Sequence, residues 1–329
     1  MRLDIWSLLE RAFGWGGVIA YHGVGESPSN TVMHVSPMRL LAQLELLQDR
    51  YRVVPLRTLV DRWRTGASTR NCVAITFDDA YAGVLIHALP ILRALDIPAT
   101  VFVASDYATL GASYWWDSIE RQRLASGDRE WTETVKVVGL SGAVRSAPTV
   151  LDQIRSRVLA RFAGRWPGEL SSGSESVWRS LTFGELELLA ADERIEFGVH
   201  TLSHPALPLL PYDEQVDEIG NNFALLRNRL PRVIPVVAYP YGLYDRTTVR
   251  AAQAAGMIAG LTMEGRATAE RPDPMIAPRI GAGEIHAPRS LTRRLNRALR
   301  PALVIRNRGA HPRMPIDPFS DVSHRQAQR

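Results

Sequence analysis

Six short runs of β-branched and other apolar residues, each closed by turn residues, constrain the architecture of this chain more than any other feature. They are Val18–His22, Val73–Phe77, Ala99–Val103, Ile195–His200, Val233–Tyr239 and Ile258–Met263, and they read as buried strands. Helical patterns lie between them. Ser36–Arg50 opens on Ser-Pro, a cap followed by a first-turn proline, and Thr182 and Glu185 have the spacing of a capping box. Asp213–Leu230 is a long helix, and Asp245–Ala255 stops at Gly256. Regular alternation of strand and helix leaves few solutions. It favours a parallel sheet with helices outside it, either an open doubly wound sheet or a barrel of the β/α type.

The rhythm breaks between about residues 106 and 180, where SGDRE and SSGSES stand among few strand-like runs. This stretch reads as an insertion with one helix near Leu151–Phe162, forming a lid or a small subdomain. Residues 1–17 precede the alternating region as an extension, and residues 18–288 contain it. Residues 289–329 read as an Arg-rich helix followed by a disordered end.

Charge follows the same division. Of the net +5, residues 289–329 hold ten arginines against Asp317 and Asp321, which leaves the other residues at about −3. Arg289–Arg300 places Leu291, Leu295 and Leu299 on one helical stripe. Packing against the domain explains such a stripe, and peripheral contact with an anionic membrane is the alternative. No nucleic-acid-binding motif accompanies the arginines, so no nucleic-acid partner is expected. The start of the chain lacks the pattern of a secretory leader, and no apolar run reaches the roughly 18 residues of a membrane span. With Cys72 as the single cysteine no internal disulfide forms. The expectation is a soluble cytoplasmic protein, with a membrane-peripheral location as the variant. The oligomeric state is left open.

Loops leaving the C-terminal ends of parallel strands converge, and several polar residues fall there. Asp78 and Asp79 end the second run, His200 the fourth with His204 four residues on, His22 the first, and Tyr239-Pro240-Tyr241-Gly242 the fifth. Adjacent buried acids repel each other and are costly to desolvate, and a cation between them and the imidazoles removes that cost. A His-x-x-x-His pair with one Asp gives three protein ligands and an open position for water, the arrangement of a hydrolytic zinc centre. Since successive strand residues point to opposite sides, one acid can bind the metal while the other serves as a base.

TFDDA, HTLSHP and AYPYG, in that order, together with YHGV, the PAT-VFV strand at 98–103 and WWD at 115–117, resemble the polysaccharide deacetylases of the NodB-homology group, carbohydrate esterase family 4. The likeness spans roughly residues 18–281 apart from much of the insertion, and the YPYG form resembles one subgroup. The resemblance implies a distorted (β/α) barrel of seven or eight strands. It also implies Asp78 as catalytic base and Asp79, His200 and His204 as holders of a divalent metal, most often zinc, with manganese, cobalt or nickel as alternatives. Thr201 and Ser203 would support the histidine loop, and the Tyr241 amide in the Pro240 turn would face the oxyanion.

The chain departs from the family pattern in two places. Ala80 stands where many members have Gly, and Ala238 where the third motif begins with an Arg that orients the base; Arg279 of APRI is the candidate replacement. His22 and His286 are candidate proton donors to the leaving amine, with Asp78 returning its own proton as the alternative. Trp115, Trp116 and Asp117 form either a sugar-stacking wall or an anchor for the insertion. His34, His87, His311 and His324 are read as lying away from the site. The resulting expectation is a metal-dependent hydrolase that removes N-acetyl groups from amino sugars of a polysaccharide, glycolipid or lipid-linked glycan. A sugar O-acetyl esterase, or a catalytically silent carbohydrate-binding or scaffolding protein on the same fold, is the competing reading.

Overall fold

The computed structural model describes residues 17–26, 33–117, 158, 162–165, 177–264 and 272–283. Most of the N-terminal extension, most of the insertion with its helix near Leu151–Phe162, His286, the Arg289–Arg300 helix and the tail lie outside the described residues. No helix among the described residues is long and apolar enough to cross a membrane.

The chain opens with β1 (Gly17–Tyr21) and a pair of two-residue strands, β2 (Gly23–Val24) and β3 (His34–Val35). Then come α1 (Pro37–Arg50), β4 (Arg52–Val53), α2 (Leu56–Thr65) and β5 (Cys72–Phe77). A single π turn at Val84–Ala88 leads into α3 (Leu89–Ala94), and β6 (Ala99–Val103) and α4 (Ser105–Leu110) follow. Beyond the insertion lie α5 (Phe183–Leu189), β7 (Ile195–Val199), α6 (Tyr212–Arg229), β8 (Val233–Ala238), α7 (Arg246–Ala254), β9 (Ala259–Thr262), β10 (Ala277–Pro278) and β11 (Ile280–Gly281).

Every strand pairing in the main sheet is parallel, in the order β10-β9-β8-β7-β6-β5-β1-β11, with β4 added beside β5. β10 and β11 are two halves of one passage interrupted at Arg279. The first half bonds to β9 and the second to β1, so these few residues bring the two edges of the sheet together. The fold is therefore the distorted barrel rather than the open sheet. Closure also removes the exposed strand edges that an open sheet must protect.

Both faces of the strands are covered, and β5 is buried along its whole length. Outside, α1 packs Leu40, Leu44 and Leu47 into a cluster with Ile19, Tyr21, Ile75 and Phe77. Inside, Val18, Ala74, Phe102, Val236 and Leu261 form a second cluster with Leu56, Leu59, Val60 and Trp63 of α2. The Arg57 Nε of α2 lies 2.6 Å from Glu196 near the start of β7, so α2 closes the N-terminal end of the barrel. Chemistry is left to the opposite end.

Local signals correspond to the observed boundaries. Ser36 accepts a hydrogen bond from the Arg39 N–H ahead of Pro37, and Asp245 accepts from the Thr248 N–H. Thr182 and Glu185 exchange both bonds of the capping box. Replacing Thr182 with Ala removes the side-chain cap from α5 and should lower unfolding free energy by about 1 kcal/mol with an unchanged denaturant slope. Urea unfolding checks this, and a loss within a few tenths of a kcal/mol contradicts it.

Candidate active site

β5 delivers the two acids in different directions. The Asp78 N–H still bonds to the Tyr21 carbonyl at 2.9 Å, continuing the ladder with β1. Asp79 and Ala80 then adopt φ of 66° and 47°, turning the chain sharply. The turn is held by the Leu181 N–H on the Ala80 carbonyl at 2.7 Å and by the Tyr114 hydroxyl on the Asp79 carbonyl at 3.0 Å.

Asp78 points into the barrel and meets Arg279. Nη1 donates to Oδ1 at 2.6 Å and Nη2 to Oδ2 at 2.7 Å, a two-pronged bond in which the guanidinium is fully buried. The Arg279 plane lies over the Phe102 ring at 5.6 Å. Gly198 of β7 leaves room for that ring, since a Cβ there would collide with it. Burial alone would raise the Asp78 pKa. The charge of Arg279, followed by that of His200 and the hydrogen bonds from Arg279, overcomes burial and holds the carboxyl well below the usual carboxylate range.

Asp79 points to the histidines. His200 Nε2 is 3.5 Å and His204 Nε2 3.4 Å from Asp79 Oδ1, and one donor atom from each of the three residues lies within 4.8 Å of the others. All three are buried. His200 Nδ1 donates to the Ala238 carbonyl at 2.7 Å, which fixes its tautomer and leaves the Nε2 lone pair facing Asp79. Burial favours neutral His200, but the Asp79 carboxylate beside its Nε2 and the charge of Asp78 outweigh it and raise its pKa. Burial dominates at His204 and pushes its pKa down to about 3. At Asp79 burial is outweighed by the neighbouring imidazoles of His200 and His204, so its pKa falls.

These residues fit a divalent cation on their own chemistry. Asp79 Oδ1 is a buried carboxylate oxygen without a hydrogen-bond partner among the described residues. A carboxylate oxygen is costly to bury in that state. Two imidazoles present nitrogens to the same point, and one carboxylate with two imidazoles is a donor set that zinc and similar ions accept.

The remaining expected residues fall around this centre. His22 Nε2 stands 3.9 Å from Asp78 Oδ2, with burial lowering its pKa against the pull of Asp78 and Asp79. Pro240 starts the turn after β8, where Tyr241 adopts φ 59° and sets its ring 4.8 Å from that of His204. Trp116 stacks on Tyr114 at 4.7 Å and lies 5.2 Å from His204, and its indole N–H donates to the Tyr81 hydroxyl at 2.9 Å. Asp117 points away from the site. It accepts from Tyr81 at 2.5 Å and bonds to His34 at 2.9 Å, so His34, read from sequence as remote, is linked through Asp117 and Tyr81 to Trp116.

Strain concentrates here. Of the nine non-glycine residues with positive φ among the described residues, Asp79, Ala80, Thr201, His204 and Tyr241 are at the site, and such backbone persists only where surrounding contacts over-determine it. The His204 N–H bonds to Thr201 Oγ1 at 3.0 Å, and Ser203 bonds through its N–H and hydroxyl to Glu218 of α6 at 2.9 and 2.6 Å. Tyr114 and Glu218 were not anticipated from the sequence. Tyr114 adjoins the WWD motif, whereas nothing in the sequence around Glu218 distinguishes it from a surface helix acid.

The polysaccharide deacetylase family model matches residues 65–126 and 182–260, two blocks that contain Asp78, Asp79 and Trp116 in the first and His200, His204 and Tyr241 in the second. This match identifies a polysaccharide deacetylase domain within the chain, a class of hydrolase that acts on carbon–nitrogen bonds outside peptides. His22 and Arg279 lie outside both blocks. No curated protein matches the sequence. Among solved structures, the chain is similar to the Streptococcus pyogenes deacetylase PplD in complex with acetate, with 18% identity over 87% of this chain and 98% of that one and a TM-score of 0.58. IcaB from Ammonifex degensii shares 19% identity over 86% and 97% at 0.57. A de-N-acetylase from Aggregatibacter actinomycetemcomitans shares 13% over 85% and 99% at 0.58. These likenesses concern the fold.

Arg279→Met strands a buried carboxylate and should cost about 3–5 kcal/mol of stability. Arg279→Lys should recover only part of that, because an ammonium cannot make both bonds. Denaturant unfolding of both variants checks this, and equal stability of parent and Arg279→Met contradicts it.

Proposed function

We propose that this protein removes N-acetyl groups from amino sugars of a polysaccharide, glycolipid or lipid-linked glycan, with a divalent metal, zinc first among the candidates, held by Asp79, His200 and His204. The observation that carries this reading is the meeting of those three buried donors beside a second carboxylate, Asp78, that is separately clamped by Arg279. Held by Asp79, His200 and His204, such a cation would supply Lewis acidity, lowering the pKa of water towards about 7 and polarising the acetyl carbonyl.

The chain's own groups do the rest. Asp78, kept ionised by Arg279, takes the proton of the attacking water. Arg279 orients it, the task that the missing arginine of the third motif has elsewhere. The Tyr241 amide donates to the oxyanion that develops on the carbonyl, a contribution typically worth about 3 kcal/mol of barrier. His22 receives the proton from Asp78 and passes it to the departing amine. The support for that role is position, since His22 Nε2 stands 3.9 Å from Asp78 Oδ2. Trp116 forms a flat wall at the site, suited to the apolar face of a pyranose ring.

Metal analysis of the purified protein and acetate release from N-acetylglucosamine oligomers and from an acetyl ester test the reading together. Asp78→Asn should retain the metal and lose about 10²- to 10⁴-fold in turnover. His204→Ala should lose the metal itself, with affinity falling on the order of a hundredfold or more. Parent-like acetate release by both variants contradicts the assignment. Release from the ester alone selects the O-acetyl reading, and a loaded site without turnover on either compound selects the silent one.

A further inference from the structure

The segment that interrupts the strand–helix alternation returns to the barrel at residues 162–165, where it makes a tight turn. Ala163 and Gly164 adopt φ of 49° and 83°, the Gly164 N–H bonds to the Val158 carbonyl at 3.0 Å, and the Arg165 N–H bonds to Phe162 at 2.9 Å. From this turn contacts reach two separate loops of the site. The Ala206 N–H donates to the Ala163 carbonyl at 2.5 Å, and the Tyr241 hydroxyl donates to the Gly164 carbonyl at 2.8 Å. A Cβ on Gly164 would collide with the Tyr241 ring, so backbone itself is the contact surface. Arg165 Nε donates to Ser203 Oγ at 2.8 Å and Nη2 to Glu218 at 2.7 Å, while Nη1 lies 3.7 Å from Glu214.

The two histidines are anchored differently. His200 is fixed by its own Nδ1 bond to Ala238, whereas His204 Nδ1 has no hydrogen-bond partner among the described residues. The direction of the His204 imidazole is therefore set by the backbone of its loop and by packing against Tyr114, Trp116 and Tyr241. Ser203 precedes it in that loop and is gripped from two sides, by Glu218 and by Arg165.

We propose that Arg165 is a positioning residue for the reaction: it pins the loop that carries His204, while the Gly164 carbonyl beside it pins the turn that carries Tyr241. One clasp thus couples the cation's third ligand to the oxyanion donor. This turn of the insertion is part of the catalytic scaffold. The inference rests on the proposed roles of His204 and Tyr241.

The test uses the full chain with Arg165→Gln and Arg165→Lys. Hydrogen exchange without added metal is read on peptides spanning 200–206 and 239–244, zinc affinity by competition with a chromophoric chelator, and kcat and KM by acetate release. In Arg165→Gln, exchange should rise in both peptides, and zinc affinity and kcat should each fall about tenfold with KM little changed. Arg165→Lys, which keeps a cation beside Glu218, should regain part of every loss, and it carries the same readouts where Arg165→Gln does not fold. Unchanged exchange in the two peptides overturns the clasp, as does altered exchange with parent-like zinc affinity and kcat. If the parent itself takes up no zinc, the metal reading fails, and the exchange result alone then decides whether the clasp exists.

Discussion

A buried guanidinium on a buried carboxylate holds this molecule's geometry and its chemistry together. Arg279 sits at the break between β10 and β11, the short passage that joins β9 to β1 and closes the barrel, and its side chain crosses the interior to Asp78 at the end of β5. Two charges taken out of water in this way are tolerable only as a pair with good geometry. Barrel closure, the aim of Asp78 and its ionised state are thus one constraint. Phe102 under the guanidinium and Gly198 under Phe102 extend that constraint into the core.

The adjacent acids behave differently because the backbone turns between them. Asp78 is still in the β5 ladder and faces inward to a cation that the protein supplies. Asp79, in the left-handed region, faces two imidazoles, and its Oδ1 has no hydrogen-bond partner among the described residues. One acid is neutralised by an arginine and the other is left to a ligand. On the proposed reading that division lets a single strand end provide two roles, and five of the nine positive-φ non-glycine residues described gather here.

Much of this was legible in the sequence. The six apolar runs became β1, β5, β6, β7, β8 and β9 within a residue or so, and the caps at Ser36 and Thr182 sit where their side chains foretold. Two-residue strands such as β2, β3 and β4 carry too little periodicity to be read, and β10 and β11 are broken by a charged residue. α2 starts at Pro55 without a side-chain cap, and the π turn before Pro90 disguises α3. The strand-end residues of the site were readable because a parallel sheet gathers them. Glu218, Tyr114 and Arg165 were not, since each acts through a contact more than ten residues away in sequence that no local pattern encodes.

The central claim is that one cation binds between Asp79, His200 and His204 while Asp78 stays on Arg279. Anomalous diffraction at the zinc edge from crystals of the zinc-soaked protein tests it most directly. The account predicts one strong peak at about 2.0–2.2 Å from one oxygen of Asp79 and one nitrogen of each histidine, with the Asp78 carboxylate still paired to the guanidinium. A peak elsewhere, or density that draws Asp78 off Arg279 and onto the metal, would contradict it.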